Sequence, residues 1–589
     1  MCGIAGYVGK GCCEDILVDF LETLEYRGYD SSGIAVKIDD EIVVTKGACR
    51  IGNLKQCITT KTINSLGIGH TRWATHGGVE SKNAHPHLSN NGDWCIVHNG
   101  IINNYLSIKN ELCNNGIKFD SDTDSEVVAQ VLENEKVTNI EGFISCVSKL
   151  KGSYAICAIN NKNNIMYLAR YESPLYVGVG INGVFVASDI LCFEKYCTKY
   201  CVLENNEYCE IVNNNIVCYD NKCNAVDKNF YNLDLNTNCV NRLNFDTFME
   251  KEINEIPQVF QNIIKNYNSS DFFSRLDKYL KRVKRIDFVA CGTSYHSGLI
   301  GASYLQKKLG IPCNTYIASE FLYSAPIINK DALYIFISQS GETADTLRAL
   351  EMVKSQCLAV VVLTNVLHST MARLADVVLP VFAGPEMAVA STKAYNAQVL
   401  VLYLLSEYFS GKLTKTKFEK IKNNFKNFNI KNYYKIKECI DDVEKLDAIF
   451  VLGKYRDYYT AMEASLKIRE ITYINCSALP SGELKHGTLA LISPKSLSFV
   501  IITNSELVQK SINAINEIKA RGGKVALITQ LDLEDRVDID YLFKLDNIDE
   551  DLIDLVSVIP FQLFACLLSC KKGINPDKPR NLAKSVTVE

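Results

Sequence analysis

Hydrophobic and polar positions change rhythm part-way along the chain. Up to about residue 240 they form short β-favouring runs separated by turn residues. These runs are Ile4-Ala5-Gly6-Tyr7-Val8, Gly33-Ile34-Ala35-Val36, Ile42-Val43-Val44, Trp94-Cys95-Ile96-Val97 and Tyr154-Ala155-Ile156-Cys157-Ala158-Ile159. Few helices are expected there, with residues 14–25 and 125–135 helical in pattern, so the pattern predicts a layered α+β domain with helices outside its sheets. Between 246 and 281 the period is helical, with Phe248, Ile253, Ile256, Phe260 and Ile264 on one stripe. From about 282, apolar strands alternate with helices, as in a parallel, doubly wound α/β sheet.

This last region repeats itself. Ile286-Asp287-Phe288-Val289-Ala290-Cys291-Gly292 before one helix is echoed by Ala448-Ile449-Phe450-Val451-Leu452-Gly453 before another. Some distance on, Leu333 to Ile337 leads into Ser338-Gln339-Ser340, and Ser498 to Ile502 leads into Thr503-Asn504-Ser505. A further matched pair of strands follows, Ala359 to Leu363 and Lys524 to Ile528, so two copies of one α/β unit are expected. The asparagine-rich stretch 205–244 predicts an edge hairpin and then a linker. The divisions are therefore 1–240, a linker and helix over 241–281, α/β copies over 282–430 and 431–575, and a tail over 576–589.

Composition narrows the class. With 47% hydrophobic and 22% charged residues among 589, the chain reads as soluble and globular. A net charge of −4, with no basic block, argues against nucleic-acid or polyanionic-membrane partners. The longest apolar stretch, Leu555 to Cys570, is interrupted by Ser557, Pro560 and Gln562 and suits a buried helix better than a membrane span. No basic segment followed by an apolar one opens the chain, so no signal peptide is expected. Twenty-three cysteines without a C-x-x-C fit free thiols in a reducing, cytoplasmic setting. The cluster Cys192, Cys197, Cys201, Cys209 lacks nearby histidines, and neither a metal nor another cofactor is expected. Gly178-Val179-Gly180-Ile181-Asn182-Gly183 matches a dinucleotide fingerprint, but a β-forming run follows it, so a hairpin turn at Asn182-Gly183 is predicted instead.

Candidate chemistry begins at Cys2. Removal of Met1 would place a thiol and a free α-amine on one residue, a nucleophile beside its own base. His70-Thr71-Arg72-Trp73-Ala74-Thr75-His76-Gly77 follows an apolar strand, Val97-His98-Asn99-Gly100 ends another, and Asp120 to Glu126 leads into a helix. Arg72 suits a carboxylate, Asp124 an α-ammonium, and Asn99 with the Gly100 N–H an oxyanion. A buried cysteine, a strand-edge network, a tight turn and an N-cap are the plain alternatives for these features.

In the first α/β copy, Gly292-Thr293-Ser294 and Ser338-Gln339-Ser340-Gly341-Glu342-Thr343 stand at strand C-ends, where helix N-termini and hydroxyls favour a phosphoryl group. Ser391-Thr392-Lys393 opens a further helix. In the second copy Glu463, Lys467 and Glu470 fall at i, i+4 and i+7 on one helix face. They are either surface ion pairs or, given flanking Ala464, Leu466, Ile468 and Ile471, a partly buried acid/base set.

Several of these motifs resemble known ones. Cys2-Gly-Ile-Ala-Gly, Tyr26-Arg-Gly-Tyr-Asp-Ser, His70-Thr-Arg-Trp-Ala-Thr-His, His98-Asn-Gly and Thr123-Asp-Ser-Glu resemble the glutaminase domain of N-terminal-nucleophile amidotransferases. Cys291-Gly-Thr-Ser, Ser338-Gln-Ser-Gly-Glu-Thr, Val389-Ala-Ser-Thr-Lys, Gly482-Glu-Leu-Lys-His-Gly and Asn581-Leu-Ala-Lys-Ser-Val-Thr-Val-Glu589 resemble the sugar isomerase (SIS) domains of the isomerising glutamine–fructose-6-phosphate aminotransferase family. The resemblance implies an αββα glutaminase domain followed by two SIS domains. It implies that Cys2 is the nucleophile, that Asn99 and Gly100 are the oxyanion donors, and that Arg72, Thr75, His76 and Asp124 clamp L-glutamine. It also implies that Thr293, Ser294, Ser338, Gln339, Ser340, Thr343, Val389 and Ser391 bind D-fructose 6-phosphate. Lys584 would form an imine at sugar C2, Glu470 would move the proton between C1 and C2 near Lys467 and Glu463, and His486 from a neighbouring subunit would assist ring opening in a homodimer. Ammonia would pass internally, with Trp73 in its path, to give glucosamine 6-phosphate and glutamate. Thr488, Ala388 and Arg469 depart from the family pattern. Two rivals are another amidotransferase of this class, which would lack the doubled sugar-isomerase region, and a sugar-phosphate sensor, which would leave Cys2, Glu470 and Lys584 without work.

Overall fold

In the computed structural model the described residues are 2–39, 41–63, 65–233, 242–324, 326–426, 428–443 and 446–586. They divide into two compact units, 2–233 joined by 585–586, and 242–584.

The first unit holds an eight-stranded and a seven-stranded sheet. Alternation along Gly3–Gly9 shows why they stack. Ile4 and Val8 point into a core shared with Cys95, Val97 and Cys157 of the second sheet, while Ala5 and Tyr7 point the other way, beneath the helix Cys13–Leu24. On the far face of the second sheet, Ile96 and Ile156 pack under Val127, Val128 and Phe143 of the helices Glu126–Asn134 and Ile140–Val147. The layers run helix, sheet, sheet, helix. Both faces of these strands are covered, which is why their runs are nearly continuous in apolar residues.

Three local expectations need correction. The strand Trp94–Ile102 does not end at Gly100 but continues through it, paired with Gly152–Asn160 so that Asn99 faces Ala155 and Gly100 faces Tyr154. The glycine-rich hairpin turns at Ile181-Asn182, with Gly183 already paired to Gly180. Within the expected edge hairpin, Glu207–Val212 and Asn215–Tyr219, Cys209 and Cys218 are direct cross-strand partners joined as a disulfide, so the thiols are not all free. The linker expected to follow falls largely on 234–241, outside the described residues.

The second unit contains two five-stranded parallel sheets of identical order. In one, the sequence across the sheet is Cys313–Ile317, Arg285–Ala290, Ala332–Ile337, Ala359–Thr364, Val377–Pro380. In the other it is Cys476–Pro480, Ala448–Gly453, Ser496–Ile501, Lys524–Thr529, Tyr541–Lys544. Numbered along the chain, each sheet reads 2-1-3-4-5, so its winding reverses between the first and third strands and leaves a crevice at their C-terminal ends. One continuous core joins the copies: Phe260 and Ile264 of the helix Ile256–Ser269, Tyr403, Phe499 and Phe564 all belong to it. The apolar stretch near 560 forms the helices Asp554–Ser557 and Ile559–Lys571 within that core, 83% buried over their span. Pro560 sits in the first turn of the latter, where its missing N–H breaks no helical bond.

Candidate functional site

In the first unit, strand pairing gathers the candidates. Gly3 pairs with Thr71 and Ile4 with His70, which sets the 70–76 segment beside Cys2. The Trp73 N–H donates to Cys2 Sγ at 3.3 Å. From the second sheet, Asn99 Nδ2 donates to the Cys2 carbonyl at 3.1 Å. Burial pushes the Cys2 thiol pKa up, outweighing the nearby Arg72 guanidinium, so a thiolate there would call for a base close by. Gly100 has φ +131°, and a Cβ there would lie 2.0 Å from the Ser153 carbonyl oxygen. Only glycine fits this backbone against its partner strand.

Arg72 is buried, and its guanidinium donates to the carbonyls of His76, Gly77 (3.1 Å) and Gly78 (3.2 Å). It therefore braces the loop whose other members are candidate substrate contacts. Asp124 accepts from the Ile102 N–H at 2.8 Å, tying the acidic run to the Gly100 strand. Both Arg72 and Asp124 lie close enough to Cys2 to act on its charge. Thr75 is exposed, His76 stacks edge-on against Tyr105 with ring centres 5.5 Å apart, and Trp73 does the same with Tyr29 at 5.6 Å.

In the second unit the two copies contribute different halves of one site. The first copy opens its crevice at the winding reversal. Thr293 and Ser294 start the helix Gly292–Leu309 after the first strand, and Ser338 to Thr343 precede the helix Ala344–Lys354 after the third. The 338–343 turn is held by its own hydroxyls: Ser338 Oγ accepts from the Gly341 N–H at 3.0 Å and lies 2.9 Å from Thr343 Oγ1, while Ser340 Oγ accepts from the Glu342 N–H at 3.2 Å. Gly341, with φ +65°, lies so close to Ser369 that an added Cβ would meet its Oγ at 2.0 Å. Gln339 presents its carbonyl to the Asn365 N–H at 3.2 Å. Ser294 Oγ accepts from Gln398 Nε2 at 3.1 Å. The Val389 N–H donates to the Asp577 carbonyl at 3.0 Å, fastening this loop to the C-terminal segment.

The second copy supplies the charges. Its helix Arg456–Thr472 turns Glu463 and Lys467 fully inward, so the surface ion-pair alternative is ruled out. Lys467 Nζ pairs with Glu470, lies 3.3 Å from Glu463 Oε1 and donates to Thr293 Oγ1 at 3.1 Å. Thr293 in turn donates to Glu463 at 3.0 Å, and His296 Nδ1 lies 2.7 Å from the same carboxylate. Burial raises the Glu470 pKa despite Lys467, a shift that suits a carboxylate to exchanging a proton. Burial also presses on Glu463, but Lys467 and His296 outweigh it and leave that carboxylate below its usual range. At its own winding reversal the second copy is plugged: Asp457 accepts from the Thr503 N–H at 3.1 Å and from Thr503 Oγ1 at 2.5 Å. A carboxylate thus caps the turn that the first copy holds with serine and threonine hydroxyls.

Lys584 meets a partner that the sequence did not single out. Its Nζ lies 2.5 Å from Glu386 Oε2, which also accepts from Ser391 Oγ at 2.9 Å. Glu386 Oε1 accepts the N–H groups of Thr392 (2.9 Å) and Ala394 (3.1 Å) at the start of the helix Lys393–Phe409. Burial would raise its pKa, but Lys584 and these donors hold it well below the usual carboxylate range. Glu252, buried beside it and accepting from the Ala388 N–H at 3.3 Å, is driven the opposite way by burial and by the charge on Glu386. Lys584 is also near enough for its charge to act on Glu470. His486 is exposed after the short turn Ser481–Lys485. Nothing local in the sequence marks Glu386 or Glu252; an isolated acid looks the same whether it ends on the surface or against a buried lysine.

Comparison with known proteins finds matches within both units. A glutamine amidotransferase domain model matches residues 70–195, and a SIS domain model matches twice, over 279–408 and 443–570. Glutamine–fructose-6-phosphate aminotransferase (isomerizing) from Clostridium tetani is 40% identical, with all of both chains aligned. Its namesake from Caldanaerobacter subterraneus is 39% identical over the same full extent. The solved C-terminal domain of glucosamine-fructose-6-phosphate aminotransferase from Francisella tularensis superposes with a TM-score of 0.54 at 32% identity, covering 58% of this chain and 100% of that one. The chain belongs to the glutamine–fructose-6-phosphate aminotransferase (isomerizing) family.

Proposed function

We propose that this chain hydrolyses L-glutamine at Cys2 and uses the ammonia to convert D-fructose 6-phosphate into D-glucosamine 6-phosphate. The observation that carries the reading is the Lys584 ammonium, buried against Glu386 within electrostatic reach of Glu470. A sugar-phosphate sensor has no use for an amine and a carboxylate of raised pKa at one crevice, whereas an aminating isomerase needs both.

At the first centre the Cys2 thiolate attacks the side-chain amide carbon of glutamine. Asn99 Nδ2 and the Gly100 N–H receive the oxyanion, ammonia leaves, and water releases glutamate from the thioester. Arg72, Thr75, His76 and Asp124 hold the amino-acid end. At the second centre Thr293, Ser294, Ser338, Gln339, Ser340, Thr343, Val389 and Ser391 hold the sugar phosphate. Lys584 condenses with C2, expelling water; ammonia then adds to that carbon and the lysine amine leaves, and Glu470 carries the proton from C1 to C2 with Lys467 beside it. His486 assists ring opening from a second copy of the chain in a homodimer, and ammonia travels internally, past Trp73, without release. The α-amine of Cys2, freed when Met1 is removed, is the base for the sulfur.

The test is glutamate release with and without fructose 6-phosphate, with the sugar product identified by mass. Stoichiometric glutamate and glucosamine 6-phosphate are expected, and Cys2→Ala should abolish glutamine use while sugar-phosphate binding survives. Glutamate release without an aminated sugar would reject the synthase reading, and normal glutamine turnover by Cys2→Ala would reject the nucleophile.

A further inference from the structure

Behind Asn99 lies a cluster of buried histidines to which the chemistry above gives no work. His70, His85, His87 and His98 are all nearly inaccessible. His70 stacks on His85 with ring centres 4.1 Å apart, and His85 meets His87 edge-on at 4.5 Å. Burial lowers the pKa of each, that of His70 to about 3, so these rings stay neutral at physiological pH.

The hydrogen bonds assign the protons. His70 Nε2 lies 3.0 Å from the His98 backbone carbonyl and 3.0 Å from Asn99 Oδ1. A carbonyl oxygen can only accept, so Nε2 must carry the hydrogen and Nδ1 must be bare. His85 Nδ1 accepts from the His98 N–H at 3.3 Å, which places the His85 proton on Nε2. With an N–H facing it, Asn99 must present oxygen to His70 and its NH2 to the Cys2 side, where Nδ2 lies 3.1 Å from the Cys2 carbonyl. The opposite amide orientation would set NH2 against N–H on one side and oxygen against oxygen on the other.

We infer that His70 is a positioning residue for the glutaminase centre: as an Nε2–H donor it locks the Asn99 carboxamide with its NH2 turned toward the oxyanion. A protonated imidazole would bring a charge behind the hole, and an apolar residue would let the amide rotate and present oxygen to a developing negative charge. The inference rests on the reading of Cys2 and Asn99 as nucleophile and oxyanion donor.

The test compares His70→Leu, His70→Gln and wild type in glutamate release, and in inhibition by L-glutamate γ-semialdehyde. That aldehyde adds the Cys2 sulfur to its carbonyl carbon, the thiol proton passing to the oxygen, and so places an oxygen in the hole without turnover. His70→Leu should lower kcat about 100-fold, the effect of losing one oxyanion donor, and weaken the aldehyde by a similar factor, with a much smaller change in the KM for glutamine. His70→Gln, whose amide can offer an N–H near the same place, should recover most of both. In an Asn99→Ala background His70→Leu should cost little more, because the residue it positions is gone. Equal kcat and aldehyde affinity in His70→Leu and wild type would overturn the inference alone. So would full additivity with Asn99→Ala, or no recovery by glutamine in a folded His70→Gln protein, the arm that decides if the leucine variant does not fold. A wild-type enzyme that releases no glutamate would overturn the glutaminase reading itself.

Discussion

Gly100→Ala gives the most direct test of the glutaminase geometry. The added Cβ would lie 2.0 Å from the Ser153 carbonyl oxygen and 2.7 Å from its carbon, whereas real Cβ contacts stay beyond 3.0 Å. The Asn99–Gly100 strand and its partner must therefore separate by about 1 Å, and misplacement of that size costs on the order of 100-fold in rate. The positive φ of +131° adds backbone strain of about 1–3 kcal/mol for any residue with a side chain. The expected result is a fall of about 100-fold in kcat for glutamate release, equivalent to about 2.7 kcal/mol of barrier, with a smaller change in KM. The assay is steady-state glutamate production, with fructose 6-phosphate binding as the control for the second unit. A kcat within about threefold of wild type would show that the Gly100 N–H is not an oxyanion donor. A rise in KM alone would show that it serves binding rather than the transition state.

Two further outcomes follow from the buried charges of the second unit. Lys467→Met strands Glu463 and Glu470 without their shared cation, a loss of about 3–5 kcal/mol where the carboxylates stay ionised. Glu470 already has a raised pKa, a stabilising contribution present at low pH and lost as pH rises through the folded value. Without Lys467, Glu463 loses what holds it low and Glu470 moves further up, so the cost should be small near pH 4 and grow toward pH 8. Hydrogen exchange across the helix Arg456–Thr472 measures this directly, since both tryptophans, Trp73 and Trp94, lie in the other unit; a pH-independent loss would refute the assignment. Glu386→Gln removes the counter-ion of Lys584 while keeping an acceptor for the Thr392 and Ala394 N–H groups. Leaving the buried lysine without its counter-ion should cost about 3–5 kcal/mol of stability, read as a lower unfolding midpoint, and an unchanged midpoint would reject the pairing.

The fold was largely legible from local pattern, because alternation and helical period record which faces are covered. The repeated strand–glycine and strand–serine signals placed two α/β copies. The run of apolar residues near 560 announced a buried helix, and the asparagine-rich stretch a hairpin. Where local reading failed, the missing information was a neighbour. The strand through Asn99 looked finished at Gly100 because glycine usually ends strands, yet its pairing to Ser153 and Tyr154 carries it on. Cys209 and Cys218 looked like two thiols among many until register set them opposite one another. The charged face of Glu463, Lys467 and Glu470 was ambiguous between solvent and crevice, since three charges at helical spacing read the same in either place.

By itself, then, the sequence determined the secondary elements, the doubling of the α/β unit and the residue types able to do the chemistry, all of which depend on neighbours within a few positions. Tertiary structure alone decided which charges were buried and against what: Lys584 on Glu386 across 198 residues, Thr293 between Glu463 and Lys467, His70 behind Asn99. The physical reason is that a hydrogen bond or ion pair acts over about 3 Å of space whatever the separation along the chain, and only folding sets that distance.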